Sequence, residues 1–81
     1  MTVEQEGSIE VRAAALLARL AELTERKEAA AKRVRELMAA ENPRAGVCYA
    51  QEIFAAQQEK LALETEMEIT RRQHVRLTME P

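Results

Sequence analysis

Positions 9, 13, 16, 20, 23, 27, 30, 34, 37 and 41 step alternately by four and three, and most are apolar: Ile9, Ala13, Leu16, Leu20, Leu23, Lys27, Ala30, Val34, Leu37 and Glu41. An apolar position every 3.5 residues is the seam of a helix lying along another helix. From Ile9 to Ala40 there is no Gly or Pro, and strong helix formers dominate. Ser8 is placed to cap the first turn, and Glu10 suits the positive end of the helix dipole. The helix is expected to end near Glu41, because Pro43 disfavours the right-handed helical conformation at Asn42. Asn42-Pro43 is also a start signal for a second helix, with Gly46 leaving the restart open between 43 and 47. No breaker follows until about Thr78, and Arg71, Arg72, His74 and Arg76 lie where a helix C-terminus favours positive charge. The predicted organisation is a disordered tail at 1–7, helix 1 over about 8–41, a bend at about 42–46, helix 2 over about 46–78, and a tail at 79–81.

Two arms joined by so short a connection pack antiparallel, giving an all-α two-helix hairpin with a coiled-coil-like seam. In heptad notation the first arm puts Ile9, Leu16, Leu23, Ala30 and Leu37 at d. Ala13, Leu20, Lys27, Val34 and Glu41 take a, with Leu17, Ala31 and Met38 at e. The second arm places Tyr49, Ala56, Leu63, Thr70 and Leu77 at d, and Gly46, Ile53, Lys60, Met67 and His74 at a. The expected hairpin core is therefore Leu16, Leu20, Leu23, Ala30, Val34 and Leu37 against Tyr49, Ile53, Ala56, Leu63 and Met67. A bend centred near 43–44 sets Leu23 by Leu63 or Glu64 and Leu20 by Met67. It also sets Lys27 opposite Lys60, whose stems must snorkel outward to partners among Glu25, Glu28, Glu59 and Glu64.

The seam does not use all the apolar surface. Val47, Phe54, Leu61 and Val75 share position b on the second arm, in a row interrupted by Glu68. Rows d, a, e and b together span about 160° of a helix at 100° per residue, more than one neighbour covers. These side chains either fold over the edge of the hairpin or dock another protein. A hairpin of 81 residues has no third layer of its own, which favours docking. The candidate partner-binding residues are Val47, Phe54, Leu61, Leu17 and Met38, and the bundle is expected to be completed by a second copy or a different chain.

Composition narrows the chemistry. Eighty-one residues make one small domain, and a single cysteine, Cys48, rules out an internal disulfide to staple it. Fourteen acidic residues against 12 basic give a formal charge of −2, which offers no general attraction to nucleic acid or anionic membrane. No apolar run approaches membrane-spanning length, and Met1 to Gly7 is acidic without the apolar stretch of a secretory signal, so a cytoplasmic location is expected. Gly7 and Gly46 are isolated and form no phosphate loop, His74 is the only histidine, and no zinc spacing or Glu-x-x-His pair occurs. No enzyme activity, cofactor or metal is expected. Arg12, Arg19, Arg26 and Arg33 form a basic row at g, which an RNA-binding four-helix bundle would use. The interspersed glutamates and the lack of stacking aromatics make pairing across the seam the better use of that row.

The two-arm layout, the bend Asn42-Pro43-Arg44-Ala45-Gly46 and the stretch from Tyr49 through Leu61-Ala62-Leu63-Glu64-Thr65 to Ile69 resemble the small helical-hairpin co-chaperones of bacterial type III secretion. The second arm is longer and more basic than that pattern, through Arg71, Arg72 and Arg76. The resemblance implies a cytoplasmic protein that joins a larger helical-repeat chaperone to hold the needle subunit, with Val47, Phe54 and Leu61 as its docking row.

Overall fold

The computed structural model describes residues 8–79; the expected tail at 1–7 and the last two residues lie outside it. Two long helices, α1 (Ile9–Ala40) and α2 (Ala50–Met79), run antiparallel and pack against each other along their length. Ser8 caps α1: its backbone is extended, its hydroxyl accepts from the Val11 N–H at 3.4 Å, and it donates to the Glu10 carboxylate at 3.2 Å. At the other end Glu41 leaves the helical region with ψ 141°, and Asn42, held out of it by Pro43, follows at φ −142° and ψ 88°.

The bend is tighter and more ordered than a simple break. Pro43–Ala45 forms one 3₁₀ turn, and the Asn42 side chain accepts from the Ala45 N–H. Gly46 closes the turn in the left-handed conformation at φ 75°. Asn42 and Val47 then exchange both backbone hydrogen bonds at 2.9 Å, an isolated antiparallel pair that locks the two chain directions together. Helix α2 consequently begins at Ala50, not at 46 as the absence of breakers suggested. Tyr49 precedes it, and its N–H donates to the Glu41 carboxylate at 3.0 Å. The charged residue at the last seam position of α1 thus sits over the N-terminus of α2, where the helix dipole favours an anion.

Along the seam, the rows at a and d face inward on both helices. Leu23, Ala30, Ala56, Leu63, Met67 and Thr70 are buried, and Leu16, Leu20, Val34, Leu37, Tyr49 and Ile53 are half-buried. Leu23, Leu63 and Met67 form one continuous cluster with Leu20 packed on it, which contains the layers expected from the bend position. Thr70, the one buried polar residue, satisfies its hydroxyl by donating to the Glu66 carbonyl at 2.8 Å. Lys27 and Lys60 are both half-buried in the middle of the seam, and the Lys27 ammonium reaches the Glu64 carboxylate at 3.2 Å. Ala30 and Ala56, the buried residues on the bend side of the lysines, contribute little area.

Gly46→Ala should lower stability by about 1 kcal/mol, measured by chemical denaturation. A methyl group there meets nothing within 4 Å, so the loss comes from the left-handed backbone alone.

Candidate docking face

The hairpin has two broad sides, and they differ. On one, Arg19 at g of α1 and Glu66 at g of α2 form an ion pair at 2.7 Å. Moving one heptad along each helix in opposite directions from this pair gives Arg26 with Glu59, Arg33 with Glu52 and Arg12 with Gln73. Arg12 and Gln73 line one shallow groove on that side together with Leu16, Arg76 and Leu77. The basic row of α1 therefore stands against an acidic row of α2. This arrangement favours the antiparallel register, and among the described residues Arg19 is the member of the row that forms an ion pair.

On the opposite side lie the e rows of both helices and the b row of α2. Here Leu17 and Met38 of α1 are 51% and 57% exposed, and Phe54, Leu61 and Val75 of α2 are 62%, 55% and 52% exposed. These large side chains have turned neither into the seam nor over the edge. Phe54 and Leu61 are one heptad apart and flank an open groove whose other walls are Gln57, Gln58 and Lys60. Val47 is placed differently from its sequence assignment. It belongs to the bend, bonded to Asn42 and half-buried, because α2 starts beyond it. The apolar row on α2 thus begins at Phe54. Of the remaining exposed large apolar residues, Ile69 lies on the charged side, while Ile9, Val11 and Met79 sit at the open end.

The chain exposes 6362 Å², against about 4,900 Å² for a compact monomer of 9.2 kDa. An elongated two-helix rod, 65 × 21 × 14 Å in extent, accounts for such an excess by its shape. Two helices side by side necessarily leave both broad faces open, and the face of Phe54 and Leu61 carries more of the exposed large apolar side chains.

Other chemistry is sparse. Cys48 is exposed beside the bend, and His74 is half-buried at its seam position near the end of α2. Among the described residues no cluster of His, Cys, Asp or Glu is arranged to hold a metal ion. Two features escaped the sequence reading. The matching of Glu52, Glu59 and Glu66 to the arginine row was visible as a second spacing of seven. Glu28 and Arg35 on α1, both exposed on the apolar side, carried no signal until the sides were known.

No protein-family model matches the chain, and no curated protein or solved structure matches it.

Arg19→Glu should destabilise the hairpin by about 0.5–1 kcal/mol, the scale of an exposed pair turned repulsive. Adding Glu66→Arg should restore most of that loss, a coupling read from a double-mutant denaturation cycle. Independent, additive effects would mean the g rows do not interact.

Proposed function

We propose that this protein is a non-catalytic interaction module, a small cytoplasmic adaptor or co-chaperone that docks another helical chain on its apolar side. The observation carrying this reading is the row of Phe54 and Leu61 on α2, with Met38 and Leu17 of α1 exposed on the same side, left in water by a fully formed hairpin. Exposed apolar patches of this kind, rimmed by polar residues such as Gln57 and Gln58, are characteristic of protein–protein contact sites. On the other side Arg19 is paired with Glu66, and Glu59 and Glu52 stand in the row facing Arg26 and Arg33, which weakens the positive field that a nucleic-acid interface would need. No helix among the described residues is long and apolar enough to cross a membrane.

The layout shared with type III secretion co-chaperones suggests a setting, and makes the helical-repeat chaperone of such a system the first partner to try. In that arrangement a helix of the larger protein lies along the apolar side and covers Phe54 and Leu61 of α2. Co-expression with that chaperone should give a stable complex. Phe54→Ala should weaken it by about 2 kcal/mol, or roughly 30-fold in Kd, the scale of a buried aromatic anchor. Titration calorimetry on the purified pair measures this. A complex that tolerates Phe54→Asp unchanged would place the interface elsewhere.

A further inference from the structure

We infer that, in the absence of another partner, the occupant of this face is a second copy of the chain, packed face to face and antiparallel about a two-fold axis crossing both helices. The inference rests on the docking reading above and adds the identity and geometry of a partner to it.

Two apolar faces brought together about an axis lying in their plane and perpendicular to the helices place α1 over α1 and α2 over α2, each pair antiparallel. On α2 such an axis passing between Gln57 and Gln58 sets Phe54 of each copy against Leu61 of the other. Both residues are more than half exposed and wall the same groove, so each provides the side chain that the other's groove lacks. On α1 an axis at the level of Ala31 and Lys32 sets Glu28 of each copy against Arg35 of the other. Among the described residues neither Glu28 nor Arg35 takes part in an ion pair. Small Ala31 at the crossing lets the backbones approach, and Met38 falls by Thr24 of the facing helix.

These two centres were located independently, one from apolar residues on α2 and one from charges on α1. They lie the same number of residues back from the Asn42–Val47 pair that closes the bend. One axis therefore serves both helices, which a coincidental patch would not require. An isologous interface needs this self-complementarity, with residue i meeting j and j meeting i. Only the halves nearest the bend overlap in such a dimer, so Leu17 and Val75 stay uncovered. The row of apolar residues at b is interrupted by Glu68 at the limit of the overlap.

The test is sedimentation equilibrium on the full chain with distance measurement through its own cysteine. The wild type should be dimeric, with a mass that falls on dilution, and Phe54→Asp should be monomeric with unchanged helical circular dichroism. Glu28→Arg or Arg35→Glu alone sets like charges together twice per dimer and should raise the dissociation constant about tenfold. The double reversal should restore it, and Ile69→Asp on the charged side should have no effect. Spin labels on Cys48, exposed and unique, should lie roughly 35 Å apart, from the helical rise and the extended residues before α2. Labels within about 20 Å of each other would indicate bends at the same end and overturn the geometry. So would single reversals that the double reversal does not rescue. A monomer that still binds an apolar dye through Phe54 overturns self-pairing alone and leaves the face to a different chain. A monomer that binds no dye overturns the docking reading as well.

Discussion

Leu23, Leu63 and Met67, with half-buried Leu20 packed on them, form the buried apolar cluster through which the two arms press together. Each buried Leu contributes about 1.5–3 kcal/mol, and there are few of them, because two helices share only the strip each turns toward the other. The rest of the seam is thinner. Lys27 and Lys60 occupy its middle with their charged ends drawn outward, and Ala30 and Ala56 continue it toward the bend with almost no side chain. A hairpin held by so narrow a strip has little surplus stability. Any molecule that covered its open apolar face would add to stability by mass action.

The sidedness of the hairpin follows from the heptad positions. Antiparallel packing puts like rows together, g beside g and e beside e. Arginines at g on one arm and glutamates at g on the other therefore meet, as Arg19 and Glu66 do at 2.7 Å. The same rule gathers Leu17 and Met38 at e of α1 on the side where Phe54 and Leu61 stand at b of α2. One face thus carries the Arg19–Glu66 pair between the arms, while the other exposes Phe54 and Leu61 beside the Lys27–Glu64 and Arg71–Glu68 pairs. The Arg19–Glu66 pair favours the antiparallel register, and the exposed side of Phe54 and Leu61 is the one proposed for docking.

Much of this was legible in the residue order. The four-three spacing named the positions of Leu23, Ala30, Ala56, Leu63, Met67 and Thr70, which are buried, though Ile9 and Gly46 on the same rows are exposed; Ser8 marked the start of α1, and Pro43 marked its end. The restart of α2 was not legible, because the bend is closed by a backbone-to-backbone pair between Asn42 and Val47 that no side chain announces. That pair takes Val47 out of the helical row to which its spacing assigned it. Glu41 looked like a flaw in the seam until its carboxylate was found bonded to the Tyr49 N–H at the head of α2. Which residues share a broad side of the hairpin depends on how the arms face each other, a three-dimensional property that heptad letters give only once the antiparallel pairing is fixed. Glu28 and Arg35 entered the candidate site for that reason alone.

The central claim is that Phe54 stands in water when the hairpin is alone and is covered when another chain arrives. Phe54 is the only phenylalanine in the sequence, so 4-fluorophenylalanine gives a single fluorine resonance that reports its solvation without mutation. In the dilute monomer that resonance should show the full solvent isotope shift between light and heavy water. It should lose most of that shift as the concentration rises or a partner is added. A resonance already shielded from solvent in the dilute monomer would contradict the account.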